Sequence, residues 1–118
     1  MSGGSGPSRL PRRLVQAIAA QDFDAVESLF DPEVEWTTTG LFLEGGVFRG
    51  PAEVRGYLER IAAEFEPFVL KLVEIREVND VLVVHTRTGG HGARSGADVL
   101  LDLHTVMRFR GELLHRAA

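Results

Sequence analysis

The chain has 118 residues, with 13 Lys+Arg against 17 Asp+Glu and no cysteine. That length fits one domain, and a composition of 44% hydrophobic and 25% charged residues is that of a folded globule with a core, not of a disordered segment. A formal net charge of −4 argues against binding nucleic acid through its phosphates, and the lack of cysteine excludes disulfides and thiolate zinc sites.

Residues 1–9 read as a flexible segment, since Met1–Gly6 is rich in glycine and serine, and residues 10–118 read as the single domain. The opening has no apolar stretch like the centre of a signal peptide, and runs such as Val81–Val84 fall far short of the ~20 residues that span a bilayer. A cytoplasmic protein without membrane or nucleic-acid partners is expected. Twelve arginines to one lysine hint at a GC-rich bacterial coding sequence.

In chain order, Leu14, Ala17 and Ile18, then Val26, Leu29 and Phe30, recur at helical spacing around Gln21-Asp22-Phe23-Asp24. Two short helices are predicted, the second capped by Asp22 and stopped at Asp31-Pro32. Val34–Thr39 is β-branched and aromatic and reads as a strand; Phe42–Phe48, broken by Gly45-Gly46, reads as a hairpin or irregular loop. Pro51 opens a third helix whose apolar stripe is Val54, Tyr57, Leu58, Ile61, Ala62 and Phe65, with Pro67 ending it. Strands follow at Phe68–Val78 and Val81–Thr88 about an Asn79-Asp80 turn. Gly89, Gly90, Gly92 and Gly96 then predict a flexible connection around His91 and Arg94. Ala97–Arg110 and Leu113–Ala118 read as the last two strands about Gly111-Glu112.

Helices first and a meander of strands after them predict an α+β fold. The ordered markers Asp31-Pro32-Glu33-Val34-Glu35-Trp36, Phe48-Arg49-Gly50-Pro51, Asn79-Asp80-Val81 and Met107-Arg108-Phe109-Arg110-Gly111 make the stretch from Leu14 to Arg116 resemble the nuclear-transport-factor-2-like superfamily, in its SnoaL-like or ketosteroid-isomerase-like branch. The resemblance implies a cone: three N-terminal helices packed on the concave face of a strongly bent, mixed or antiparallel sheet, with a pocket at the open end and homodimers formed through the outer face. The superfamily includes isomerases, polyketide cyclases, hydrolases and non-catalytic binding proteins, so fold alone leaves function open.

Ketosteroid isomerases use an aspartate base with a tyrosine and a protonated aspartic acid as donors. On this resemblance those three positions fall on Trp36, Leu14 and Thr105; tryptophan and leucine cannot do those jobs and threonine is a weaker donor, so a ketosteroid isomerase is not expected. If Thr105 faces the cone, strand alternation brings Leu101, Leu103, Met107 and Phe109 with it and turns Asp102, His104 and Arg108 outward. The same resemblance puts Val83, His85 and Arg87 on the concave side, although hydrophobicity alone would point Leu82 and Val84 inward. His85 is then the candidate general acid or base, because an imidazole titrates near neutrality. Trp36, Tyr57, Arg87, Leu103, Thr105 and Met107 are the candidate substrate-binding residues. Arg87 and Arg116 would bring positive charge towards the pocket and need a carboxylate partner or an acidic ligand.

His85, His91, His104 and His115 show no tight ligand spacing, so neither a metal nor a cofactor is expected. Two functions remain. One is a SnoaL-like isomerase, cyclase or hydrolase acting on an apolar, partly oxygenated compound; the other is a non-catalytic ligand-binding or dimerisation module.

Overall fold

A computed structural model of the chain describes residues 8–39 and 45–118. Helix α1 (Arg9–Ala19) and the short α2 (Phe23–Ser28) lead into β1 (Phe30–Thr38) and β2 (Gly46–Arg49). Helix α3 (Pro51–Ala63) then precedes four strands: β3 (Phe65–Val78), β4 (Val81–Gly92), β5 (Asp98–Arg110) and β6 (Leu113–Ala117). The six strands form one sheet in the order β2-β1-β6-β5-β4-β3. β1 and β6 run parallel and every other neighbouring pair is antiparallel, so the sheet is mixed. Two helices stand before the first strand, while the third, opened at Pro51 as expected, lies between β2 and β3, so the three are not all N-terminal.

Helix α1 forms because Leu14, Val15 and Ile18 share one face, and all three are buried. Asp22 caps α2 by accepting from the Ala25 N–H at 3.2 Å. The helix ends at Ser28, three residues before Asp31, and Asp31-Pro32 belongs to β1. The Asp31 side chain accepts from the Glu33 N–H at 2.8 Å, so it holds the strand's entry corner and does not stop a helix. Pro51 begins α3 as expected. That helix ends at Ala63, however, and Phe65 and Pro67 belong to β3. Phe65 mimics the next helical step after Ile61 and Ala62 because the first buried residue of the strand falls at the same spacing.

Gly89, Gly90 and Gly92 are not a connection; they end β4 within the sheet. A Cβ on Gly89 would collide with the Val99 carbonyl oxygen, and one on Gly90 with the Pro67 carbonyl oxygen. The glycines are there so that neighbouring backbones can approach. The Phe42–Phe48 segment lies partly outside the described residues, but Gly46–Arg49 pairs with β1.

The core lies between the helices and the inner sheet face. Leu14, Val26, Val34, Val54, Val84 and Leu114 are fully buried there. A register shift between Leu72 and Glu74 gives β3 one extra residue against β4. It lets Leu72 and Ile75, three apart, both face inward opposite Thr86 and Val84. Among the described residues, no helix is long and apolar enough to cross a membrane.

Candidate functional site

β4 sets which side chains reach the space beneath the helices. Val84, Thr86 and Thr88 alternate with His85 and Arg87, and the first three are buried. Across the ladder Val84 faces Thr105, Thr86 faces Leu103 and Thr88 faces Leu101. Ile75, Leu72 and Leu70 extend these same rows on β3. Each row therefore sets one hydroxyl among hydrocarbon side chains. Thr86 and Thr88 also lie 3.2 Å apart, oxygen to oxygen.

Over this floor α1 places Val15 and Ile18, and α3 places Tyr57, Leu58 and Ile61. Between them is a cavity of about 310 Å3, at the lower end of the ~300–1,000 Å3 typical of small-molecule sites. Trp36 and Met107 form one end of it. Both stand opposite the small Ala117 of β6, and Ala118, which follows it, joins them in the lining. The Tyr57 ring stacks on Phe48, with centroids 4.4 Å apart, and its O–H donates to the Thr38 hydroxyl at 3.0 Å. Tyr57 is thus both a core residue and a cavity wall. The Trp36 indole N–H and the Thr105 hydroxyl have no protein partner among the described residues.

Trp36, Tyr57, Leu103, Thr105 and Met107 therefore come together around one cavity. His85 and Arg87 do not join them, which corrects their expected placement. Both lie on the outer sheet face, where Asp102 bonds His85 Nε2 at 2.8 Å and accepts from Arg87 Nε at 3.1 Å. The His85 ring stacks on His104, with centroids 4.2 Å apart. The hydrogen bond from His85, and after it that from Arg87, holds the Asp102 carboxyl below its ordinary pKa. The physical reason for this parity is desolvation: an imidazole and a guanidinium turned inward would lose water among hydrocarbon groups, whereas outside they share a carboxylate. His104 follows Leu103 at the cavity floor, but its ring is on the outer side with His85. Arg116 also stays out of the cavity, donating to the Glu33 and His115 carbonyl oxygens. Thr86 and Thr88 are the residues sequence reasoning missed; the apolar pair Leu82 and Val84 was the signal that fixes their direction.

A second cluster lies away from the cavity. Asp31, Glu33 and His115 bring ligand-type atoms within 4.8 Å of one another. Arg110 already donates to both Asp31 oxygens, at 3.0 and 2.8 Å, and to Glu33 at 2.9 Å, so a guanidinium holds the position a cation would take. The Arg110 bond, reinforced by the Glu33 N–H, lowers the Asp31 pKa from 3.8 to about 2. A depressed carboxyl pKa contributes stability that is fully present above the unfolded value and is lost as pH falls through the folded one. Stability should therefore decline between about pH 4 and pH 2, and Arg110→Ala should move acid unfolding to higher pH. Circular dichroism against pH checks this; an unchanged acid midpoint in the variant contradicts it.

The described architecture is an α+β nuclear-transport-factor-2-like fold with a cavity between helices and sheet. Residues 12–117 match the SnoaL-like domain family, and the chain belongs to it. Among solved structures, a hypothetical protein with a ketosteroid-isomerase-like fold from Catenulispora acidiphila, in complex with trimethylamine, superposes with a TM-score of 0.82 at 18% identity. That match covers 96% of this chain and 84% of the other. A candidate polyketide cyclase of Sinorhizobium meliloti gives 0.78 at 15% identity, over 99% and 97% of the two chains. TerC, co-crystallised with polyporic acid, gives 0.72 at 19% identity, over 92% and 85%. At these identities the likeness is one of fold. No curated protein matches the sequence.

Proposed function

We propose that this SnoaL-like domain binds an apolar, partly oxygenated small molecule in the cavity beneath α1 and α3, and releases it chemically unchanged. The observation that carries this reading is the lining itself. Among the described residues, the titratable side chains of the lining residues are those of Tyr57, whose O–H is engaged with Thr38, and His104, whose ring stacks on His85 on the outer face. General acid–base catalysis needs a group within hydrogen-bond reach of the reacting atom. The imidazole that would have served, on His85, is bonded to Asp102 on the other side of the sheet. Hydrocarbon walls with a few hydroxyls suit recognition more than proton transfer. The trimethylamine and polyporic acid found with structural neighbours are in keeping with a fold that accommodates small ligands.

The test is to identify a ligand from a library of apolar oxygenated compounds, incubate it with the protein, and recover it. Recovery unchanged is expected. Conversion to a product sinks the non-catalytic reading and reinstates the isomerase, cyclase or hydrolase one.

The outer sheet face supports a second element of this reading, a homodimer. Val73, Leu100 and Val106 are exposed there beside the polar group of His85, Asp102 and His104. Apolar side chains around a hydrogen-bonded polar patch are a composition found at dimer interfaces. Leu100→Asp with Val106→Asp should shift the sedimentation coefficient from dimer to monomer; a wild-type protein that sediments as a monomer at high concentration overturns this.

A further inference from the structure

Resting on the binding reading above, we infer that the cavity selects uncharged ligands over anions, and that it recognises an acceptor oxygen at the Trp36–Thr105 end. Three observations carry this. First, no Asp, Glu, Lys or Arg side chain among the described residues lines the cavity.

Second, the charges nearest to it are already neutralised elsewhere. Arg87 is held by Asp102 on the outer face, Arg116 lies near Glu35 and bonds backbone carbonyls, and Arg110 is clamped by Asp31 and Glu33. An anion entering this space would lose its water and find no cationic side chain to pair with, which is costly in an apolar site.

Third, the polar groups that do face inward are neutral. Thr86, Thr88 and Thr105 give one hydroxyl in each of three adjacent cross-strand rows. Hydroxyls serve as donors or acceptors as the ligand requires. The Trp36 indole N–H can only donate, and neither it nor the Thr105 hydroxyl has a protein partner among the described residues. A carbonyl or ether oxygen at that end satisfies them, and the indole face offers a flat ligand a stacking surface. For a weakly acidic ligand, capture would then follow the ligand's own ionisation.

Trp36 is the only tryptophan, so its indole N–H gives a single cross-peak in a 1H–15N spectrum and reports cavity occupancy directly. Three probes of one ring system are titrated at pH 7: naphthalene, 2-acetonaphthone and 2-naphthoate. The neutral ketone should shift the indole peak and bind most tightly. Naphthalene should bind more weakly than the ketone, and 2-naphthoate at least about tenfold more weakly, the difference 1.4 kcal/mol makes. If 2-naphthoate binds within tenfold of the ketone while shifting the indole peak, anion exclusion is overturned and the binding reading stands. If naphthalene equals the ketone, the acceptor-oxygen assignment is overturned alone. If no probe moves the indole peak, the binding reading fails and the inference with it.

Discussion

Leu103→Trp should weaken cavity binding of an apolar ligand at least about a hundredfold, while His85→Ala should leave it within about twofold. Leu103 stands opposite Thr86 in the middle of the cavity floor, and an indole there would occupy the space a ligand needs. The cost to the fold should stay near 1–3 kcal/mol, the usual penalty for overfilling, because the site opens into a cavity and not into packed core. His85 touches only outer-face groups, Asp102 and His104, so its loss reaches the cavity through no contact. Calorimetry on both variants, with thermal melts as a control for folding, is the measurement. Equal losses for both would mean that the outer face is coupled to the site. The reverse order would restore His85 to the binding site.

The second large effect concerns a residue type usually treated as permissive. Gly90→Ala should destabilise the protein by about 3 kcal/mol, the upper end of ordinary overpacking. Gly96→Ala should cost about 1–2 kcal/mol, the strain of a left-handed backbone alone. Gly90 has φ +132 and would drive its Cβ into the Pro67 carbonyl oxygen, with the Phe65 Cβ 3.2 Å away. Neither neighbour can yield easily: the first is backbone in the paired strand, and Phe65 is buried. Gly96 has φ +71 and open space around it. Urea unfolding of both variants decides the point. Equal, small losses would mean that the Gly89–Gly92 segment is the flexible link its composition suggests and not the end of β4.

That pair of glycines shows where one-dimensional reading stops. A run of glycines has the same composition whether it forms a loose connection or a strand pressed against two neighbours. Only the approach of Val99 and Pro67 tells them apart. Phe65 teaches the same lesson, because a residue three or four after Ile61 and Ala62 continues a helical stripe or opens a strand equally well. Asp31-Pro32 was read as a helix stop from proline's local restriction. The helix had already ended, and Asp31 serves instead as the partner of Arg110, a residue 79 positions away. By contrast, the Asp22 cap, the Pro51 start of α3, and the Asn79-Asp80 and Gly111-Glu112 turns were legible because each depends on chemistry within four or five residues.

The candidate site divides along the same line. On β5 the alternation of Leu101, Leu103, Thr105 and Met107 with Asp102, His104 and Arg108 is clean, and one inward residue determines the rest. On β4 both parities are plausible strings: Val83-x-His85-x-Arg87 offers chemistry, Leu82-x-Val84-x-Thr86 offers burial. Burial wins, because threonines can enter an apolar space at little cost and a guanidinium cannot.

Taken alone, the amino-acid order determined an α+β chain, its helix starts and its tight turns, since these follow from local backbone preference and helical spacing, while the resemblance carried by its motifs implied the SnoaL-like arrangement and, with strand alternation, the inward face of β5. The tertiary structure decided the rest. It placed β6 parallel to β1, opened a cavity beside Ala117, and turned His85 away from it to meet Asp102, because these outcomes depend on which distant strands pair and on where water remains to solvate a charge.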